Sequence, residues 1–393
     1  MKILLFKWNA FMQPEVEETF KELNYDYEAF YLVPKDWNED ERLFEITREK
    51  LLKGNFSHVF SINYSSIIAE AIKSLNKDIL YINWNHSVPF ETRNLEGLNY
   101  DFNRSFIFDR AYTNRLLEAG YKNVYHLPLA TKIRDIAFKN PAYTYDVSFV
   151  GSMYVSEYKD FSRPLSQNLR GYLDGLVEFQ CQLNGGNIFN DCINNELLEK
   201  INGEIIAGAG RPLSETDVVE DLKSASGFAG YSKEQIYYLL SREATKRQRL
   251  LALMLLESRF KTALFSKDEM QELKNTYMGG YIDYSTKMPE IFRNSKINLN
   301  VSLSCIETGI PLRVLDIIAC GGLVLSNFQP EIYEYFRPDE DIICFNNSEE
   351  LLAKASFLIK EDSFREKVIE NGLEIIKKAF SYKDRVEAMF GMK

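Results

Sequence analysis

The sequence is poor in the residues that commonly bind transition metals. Its 393 residues include three histidines and five cysteines, and no two cysteines have the CxxC spacing of a zinc site. The odd number of cysteines also argues against a disulfide framework. These scarcities predict a protein without a bound metal in the reducing environment of the cytoplasm. The cysteines are Cys181, Cys192, Cys305, Cys320 and Cys344.

Long apolar runs and an excess of basic residues are missing as well. The N-terminal stretch MKILLFKWNAF has only about five consecutive apolar-leaning residues, fewer than the apolar region of a signal peptide, and no run approaches the roughly 20 residues of a membrane helix. The formal net charge of -10 argues against binding to nucleic acid or anionic lipid. We therefore expect neither nucleic acid nor membrane as a partner.

The chain is long enough for two hydrophobic cores, and its pattern repeats twice. The first 130 residues alternate apolar runs with helical patterns near 41–53, 66–75 and 111–119, which predicts a parallel sheet covered on both faces. The strand candidates are ILLF (3–6), HVFSIN (58–63), DILYINW (78–84), SFIFD (105–109) and NVYHLPL (123–129).

A second series follows a polar stretch with a proline at residues 131–145. Its strand candidates are DVSFVGS (146–152), KTALFS (261–266), KINLNVS (296–302), LVLS (323–326) and DIICF (341–345). We predict one α/β domain over residues 1–135 and a second over 136–365, the latter with a helical insertion over about 155–240. Helices over 366–393 are expected to pack back toward the first domain.

The stretch GIPLRVLDIIACGGLVLSN, residues 309–327, predicts a ligand site. Pro311 suits a helix start, Gly321 suits a left-handed helix end, and a buried strand follows. Ligands of parallel sheets bind beyond the carboxyl ends of the strands, on helix N-termini. The residues around this helix start, which include Thr308, Gly309, Ile310 and Leu312, are therefore candidates to hold a diphosphate. Periodicity alone also allows a surface ion pair between Arg313 and Asp316.

Four segments in order resemble the spore-maturation CgeB-like glycosyltransferases. They are FDRAYTNRLLEAGYKNVYHLPLAT (108–131), YDVSFVGS (145–152), PLRVLDIIACGGLVLSNFQPEIYEYF (311–336) and EELLAKASFLIKEDSFREKVIENGLEIIKKAFSYKDRV (349–386). The resemblance implies the GT-B fold, in which two Rossmann-like domains face each other across a cleft. It also implies transfer of a sugar from a nucleotide-diphosphate sugar, usually without a bound metal and without a cofactor.

The resemblance also assigns roles to single residues. It places Asp316 on the ribose hydroxyls and Arg247 on a phosphate, for which a guanidinium is suited. The sequence departs from the wider pattern of retaining enzymes, which have two glutamates separated by seven residues. Thr308 stands at the first position and Glu307 one place early, so the sequence leaves the stereochemistry of transfer open.

Three further features are candidates with a structural alternative. Gly151 and Ser152 end a strand, and their backbone is predicted to approach the donor or to form a plain turn. His86 and His126 both lie near strand ends, and each is a candidate general base or a structural histidine. The acidic run Asp339–Asp341 is interpreted as a solvated turn rather than a metal site.

The resemblance therefore implies a glycosyltransferase of the hexosyl or N-acetylhexosaminyl class, with a UDP-sugar as the favoured donor. Flagellin, another surface protein, a surface polysaccharide and a spore-coat component all remain open as acceptors. Two alternatives are a nucleotide-sugar epimerase of the same fold and a catalytically silent interaction protein that works through its insertion.

Overall fold

The computed structural model describes residues 1–8, 10–75, 77–134, 143–208 and 230–392. The middle of the predicted linker (135–142) and residues 209–229 of the predicted insertion lie outside the described residues. Two parallel six-stranded sheets organise the chain. This confirms the predicted α/β class with two Rossmann-like units.

The first sheet has the strand order β2-β1-β3-β4-β5-β6. Its strands are β1 (Lys2–Lys7), β2 (Asp26–Tyr31), β3 (His58–Ile62), β4 (Leu80–Asn85), β5 (Asn103–Ile107) and β6 (Val124–His126). The helices between them are α1 (Gln13–Glu22), α2 (Glu41–Lys53), α3 (Ser66–Lys73) and α4 (Arg110–Glu118), with a 3-10 turn at Glu96–Asn99. Asp40, Ser65 and Asp109 begin α2, α3 and α4 as side-chain N-caps.

The second sheet has the strand order β12-β11-β10-β7-β8-β9. Its strands are β7 (Tyr145–Val150), β8 (Thr262–Phe265), β9 (Tyr277–Met278), β10 (Ser295–Asn300), β11 (Val324–Asn327) and β12 (Ile343–Phe345). The accompanying helices are α10 (Lys287–Arg293), α11 (Leu312–Ala319), α12 (Ile332–Tyr335) and α13 (Ser348–Leu358). We call the unit around β1–β6 the first domain and the unit around β7–β12 the second domain.

The described chain between β7 and β8, residues 151–208 and 230–261, includes five helices. It contains α5 (Tyr158–Ser162), α6 (Gln167–Gln180), α7 (Phe189–Cys192), α8 (Asn195–Gly208) and the long helix α9 (Lys233–Glu257). The amino-terminal part of α9 packs on the other insertion helices through a separate core that includes Leu173, Ile201 and Leu240. Its carboxyl-terminal part packs on the second sheet through Leu253 and Leu256.

The last two helices, α14 (Asp362–Ala379) and α15 (Tyr382–Gly391), cross from the second domain to the first. Phe390 of α15 packs against Phe20 and Phe60, with ring centroids 5.5 and 6.0 Å away. The described helices include none that is both long and apolar enough to span a membrane.

The helix in the GIPLRVLDIIACGG stretch forms as the sequence predicts. Gly321 has a φ of 75°, and the N–H groups of Gly321 and Gly322 bond to the carbonyls of Ile318 and Ile317. This pattern is a Schellman helix end, which favours glycine because the backbone is left-handed. Pro311 caps α11 from the position just before its first turn.

Candidate functional site

The carboxyl ends of the two sheets face each other. Asp109, which follows β5, contacts the loop of residues 307–309, which follows β10. Ligands of parallel α/β sheets bind at this end of the strands. The place where the two sheet edges meet is therefore the candidate site.

Arg313 lies on the first turn of α11 and reaches the end of β7. Its Nη1 donates to Asn300 Oδ1 at 3.3 Å, and its guanidinium lies 5.0 Å from the centre of the Phe149 ring. Gly151, with a φ of 145°, leaves room for it, since a Cβ there would lie 2.1 Å from Arg313 Nη2. A side chain at residue 151 would therefore displace the arginine.

Arg249 of α9 reaches the same place from the other direction. Its Nε and Nη2 donate to the carbonyl of Val301 at 3.0 and 2.6 Å, and its Nη1 donates to the carbonyl of Ser152. The guanidinium also lies 5.1 Å from the centre of the Phe149 ring. Arg249 is 2% exposed, so it is fixed at the carboxyl ends of β7 and β10.

Neither guanidinium group forms an ion pair with a carboxylate within the part of the chain that the structure describes, and Asp268 and Asp316 act on them only electrostatically. Burial and the neighbouring charge of Arg313 lower the pKa of Arg249 to about 9. Burial also lowers the pKa of Arg313. Two like charges that share a desolvated place repel each other, and a bound anion would relieve this repulsion. The arrangement can hold a dianionic group such as a diphosphate.

The start of α11 adds to this positive site. No side chain of a described residue caps the helix, so the N–H groups at Leu312 and Arg313 are left for another acceptor. Leu312 is half-buried and Ile310 is buried, and both flank Pro311. The predicted donor-binding residues Gly151, Ile310, Leu312 and Arg313 are thus brought together.

Asp316 lies deeper in α11 and bridges the two domains. Its Oδ1 accepts from the hydroxyl of Thr131 and its Oδ2 from the hydroxyl of Tyr284, both at 2.7 Å. Burial raises the pKa of Asp316 to about 6, although both hydrogen bonds act to lower it. No ion pair forms between Asp316 and Arg313. Each oxygen of the carboxylate thus accepts one hydroxyl donor in this structure.

The loop before α11 is in contact with the first domain. The N–H groups of Glu307, Thr308 and Gly309 donate to Asp109 Oδ2 at 2.8, 2.9 and 3.0 Å. The sequence predicted a diphosphate at this loop. In this structure the N–H groups of residues 307–309 already donate to the carboxylate of Asp109. The predicted contacts of Thr308 and Gly309 with a ligand therefore stay predictions.

Charged groups of opposite sign meet around this loop. Arg115 pairs with Glu307, and Arg110 makes a two-pronged contact with Glu334 at 2.6 and 2.7 Å. In each pair the cation belongs to the first domain and the carboxylate to the second.

His126 joins the same interface. Its Nε2 lies 2.7 Å from Glu331 Oε2, and Glu331 Oε1 accepts from Thr308 Oγ1 and the N–H of Arg110. Burial raises the pKa of Glu331, but these hydrogen bonds outweigh it and leave the pKa lowered. The ring of His126 therefore links the two domains, and its role as a base stays a prediction.

His86 has a different environment at the carboxyl end of β4. Its Nδ1 lies 3.1 Å from Ser87 Oγ, whereas its Nε2 is covered and has no hydrogen-bond partner among the described residues. Burial lowers the pKa of His86 to about 4. The ring is therefore neutral near pH 7 and offers one unused nitrogen.

The side chains of Arg247 and Ser152 bond to groups outside the guanidinium pair. Arg247 Nε donates to Glu243 at 2.9 Å and its Nη2 to Asp174 at 3.0 Å, within the insertion. Ser152 Oγ donates to Asp268 at 3.0 Å, and only its carbonyl contacts Arg249. Residues two apart on a helix point to nearly opposite sides. Arg249, which was not among the predicted site residues, lies at the strand ends, and the phosphate contact of Arg247 stays a prediction.

The acidic run at 339–341 does not form a converging carboxylate cluster. Asp339 pairs with Lys354 at 2.8 Å, and Asp341 pairs with Arg337 at 2.7 Å. Over the described ranges, no group of three or more histidine, cysteine, aspartate or glutamate side chains is placed to hold a metal ion.

Sequence comparison finds one related family. Residues 242–391 match the sequence model of a family described as "Glycosyl transferase-like". The match covers α11 and both arginines of the pair. No curated protein is significantly similar to the chain.

Structure comparison gives likenesses over the whole chain. A glycosyltransferase from Rickettsia africae matches with a TM-score of 0.54 and 11% identity, over 99% of this chain and 98% of that one. The T4 phage BGT, solved with its UDP-glucose substrate, matches with a TM-score of 0.53 and 10% identity over 100% of both chains. HepE from Anabaena, in complex with UDP-glucose, matches with a TM-score of 0.50 and 10% identity, over 100% of this chain and 99% of that one.

Identities this low show a shared fold and nothing finer. Together with the family match, they support a glycosyltransferase. The chain has the GT-B fold, with two Rossmann-like domains facing across a cleft, and its residues 242–391 are similar to a glycosyl transferase-like family.

Proposed function

We propose that this protein transfers a sugar from a nucleotide-diphosphate sugar, with UDP as the favoured nucleotide, to a protein or glycan acceptor. One observation carries the proposal. Arg249 and Arg313 converge at the carboxyl ends of β7 and β10 without a carboxylate partner in the described chain. A diphosphate would supply the missing negative charge. The proposed family is the CgeB-like glycosyltransferases, and the proposed location is the cytoplasm.

The arginine pair would act on the leaving group. As the bond between the anomeric carbon and the diphosphate breaks, negative charge grows on the departing phosphate. Fixed positive groups in a water-poor cleft stabilise that charge more in the transition state than in the ground state. The uncapped N–H groups of α11 would add to this effect. The proposed reaction needs no metal ion for this step.

Asp316 is the proposed acceptor for the two ribose hydroxyls. Its two oxygens already accept two hydroxyl donors, from Thr131 and Tyr284. A ribose diol presents the same kind and number of donors. Nucleotide binding would then replace one or both of the protein hydroxyls on this carboxylate.

His86 is the proposed general base, in preference to His126. Its Nε2 has no partner in the described chain, whereas the Nε2 of His126 is held by Glu331. His86 would take the proton of an acceptor hydroxyl while that oxygen bonds to the anomeric carbon. An anionic donor in the cleft would raise the pKa of His86 toward the neutral range in which a base works best.

A panel of nucleotides tests the proposal. UDP, UMP, GDP and ADP are compared by thermal shift, together with UDP-glucose and UDP-N-acetylglucosamine. Ligand at a hundred times its Kd stabilises the native state by about 2.7 kcal/mol. We expect UDP to stabilise the protein more than UMP does, because the arginine pair is suited to a diphosphate. The absence of a shift with every nucleotide diphosphate would contradict the proposal.

Donor turnover without acceptor separates the alternatives. A transferase releases UDP slowly from its donor by hydrolysis. An epimerase of the same fold would change the sugar and needs a carboxylate pair beside it. A silent interaction protein would do neither. Sugar transfer is the proposed class because the likeness in sequence is to a glycosyl transferase-like family.

A further inference from the structure

One carboxylate of the first domain holds three consecutive backbone donors of the second. Asp109 is fully buried, and its Oδ2 accepts from the N–H groups of residues 307–309. Its other oxygen, Oδ1, accepts from the N–H of Tyr112 at 2.8 Å and caps α4. Consecutive N–H groups that point to one place form an anion-binding concavity. The anion here is supplied by the chain itself.

The close fit of the loop depends on Gly309. A Cβ at this residue would lie 2.9 Å from the carbonyl oxygen of Phe108 and 3.0 Å from the Cα of Asp109. Both are backbone atoms and cannot move aside as a flexible side chain would. The glycine therefore allows the loop to lie directly on the backbone that carries Asp109.

The same loop leads into the proposed donor site. Only Ile310, Pro311 and Leu312 separate Gly309 from Arg313, and Pro311 is the N-cap of α11. A shift of the loop would be transmitted through this short connection to the first turn of α11. Among the described residues, the guanidinium of Arg313 is held by one hydrogen bond, to Asn300 at 3.3 Å, and by its contact with the Phe149 ring.

We propose that Asp109 is a positioning residue that links closure of the domains to the shape of the donor site. With the domains together, its carboxylate fixes residues 307–309 and thereby the start of α11. When the domains separate, the three N–H groups lose their acceptor and the loop relaxes. The inference rests on the proposed function, because it concerns how the donor is held.

The substitution Asp109→Asn tests this with little change in shape. Asparagine is a good N-cap and can still begin α4 through its one oxygen. Its amide nitrogen cannot accept from the three N–H groups of residues 307–309, so these three hydrogen bonds between the domains are lost. Asp40→Asn is the matched control. Asp40 caps α2, is 8% exposed and accepts from the N–H groups of Leu43 and Lys35 at 2.9 and 2.8 Å, all within the first domain.

Three readouts are compared in the full-length protein and both variants. Hydrogen exchange is measured at the amides of residues 307–309, small-angle scattering gives the overall dimensions, and calorimetry gives the affinity for UDP. In Asp109→Asn we expect faster exchange at these amides, a larger radius of gyration and UDP affinity reduced about fivefold to a hundredfold, the usual range for coupled sites. The KM for the donor should rise more than kcat falls. Asp40→Asn should lower the melting temperature and leave all of these readouts unchanged.

The outcomes separate this inference from the proposed function. If the wild type binds no nucleotide diphosphate, the proposed function fails, and exchange at residues 307–309 without nucleotide still decides whether Asp109 fixes the loop. If UDP binds and both variants behave alike, the positioning role is refuted while the proposed function stands. Should Asp109→Asn not fold, Gly309→Ala perturbs the same contact from the other domain. It should give the same three changes, and wild-type readouts in that variant would also refute the inference.

Discussion

Two sets of polar groups lie where the carboxyl ends of the sheets meet, and they differ in how they are partnered. Arg110, Arg115 and His126 of the first domain each meet a glutamate of the second. Arg249 and Arg313 meet no carboxylate, and His86 Nε2 has no hydrogen-bond partner, within the described residues. Both sets combine arginine with histidine, so residue type alone does not separate them.

The difference indicates a division of work. A charge that is satisfied across the interface contributes to holding the domains together, and its removal leaves a partner unpaired. A buried charge without a partner is destabilising in the free protein and is expected where a ligand supplies what is missing. We therefore expect the first set to determine closure and the second to determine binding and turnover.

The histidines provide the contrast with the largest expected effect. His86→Gln should lower the rate of sugar transfer by about a hundredfold to ten-thousandfold, the range for loss of a general base, with little change in UDP affinity. His126→Leu should lower the melting temperature, because Glu331 loses a partner, and reduce the rate by less than tenfold. Steady-state kinetics of both variants measure this, with His58→Gln as a third control. Equal rates in the His86 and His126 variants would end the distinction between the two sets.

The arginines give the next largest effect. Arg313→Gln should weaken UDP binding about a hundredfold, since a desolvated charge-assisted contact contributes up to about 3 kcal/mol and each decade takes about 1.4 kcal/mol. Arg247→Gln is the matched control. Arg247 is also a half-buried arginine on a helix, but it has two carboxylate partners. It should leave UDP affinity unchanged. Calorimetric titration of both variants with UDP measures this. Weaker binding in Arg247→Gln and unchanged binding in Arg313→Gln would support the phosphate contact that the resemblance implies for Arg247.

Asp316 falls between the two sets. It has hydrogen-bond partners in the protein, but they are hydroxyl groups that a ligand can replace. Asp316→Ala should weaken UDP binding about tenfold, as expected for loss of charge-assisted hydrogen bonds. The wild type should prefer UDP over 2′-deoxy-UDP, and Asp316→Ala should lose that preference. Because burial raises the pKa of Asp316 to about 6, the carboxylate is ionised above that pH. UDP affinity should therefore fall as the pH drops through 6 in the wild type and less so in the variant.

The result that would contradict the ribose role is an unchanged affinity in Asp316→Ala, with stability alone reduced. Tyr284→Phe is a control in which UDP affinity should not fall. It removes one of the competing hydroxyls and leaves Asp316 in place, so UDP should bind at least as tightly as in the wild type. The same titrations, repeated between pH 5 and 8, measure all three proteins.

The sequence predicts most of the fold because the spacing of apolar residues shows which side of each strand or helix is buried. The two strand series and the helix that ends at Gly321 follow from it. Strand β2 was missed, since DYEAFY is an edge strand with exposed and half-exposed residues and lacks a buried run. Strand β9 was missed because it has only two residues, both exposed.

Of the two arginines in the pair, Arg313 was a predicted site residue and Arg249 was not. The sequence nevertheless contains a signal for Arg249. Arg249 is spaced three, four and seven residues from Ala252, Leu253 and Leu256, which form the buried stripe of α9. That spacing places Arg249 on the face toward the sheet, whereas Arg247 falls on the opposite side. Asp109 offered no such signal, because its contact with Glu307 joins residues 198 positions apart.

The smallest expected effect concerns chelation of metal ions. The acidic residues at 339–341 belong with the partnered set, since Asp339 is held by Lys354 and Asp341 by Arg337. Their carboxylates are directed to separate cations and do not converge on one place. If the arginine pair stabilises the leaving diphosphate, EDTA should leave the rate of transfer unchanged within about twofold. The measurement is the transfer rate before and after EDTA, then with added Mn²⁺ or Mg²⁺. Loss of activity with EDTA and its return with Mn²⁺ would mean that a metal ion neutralises the diphosphate, and the charges of Arg249 and Arg313 would not suffice for that role.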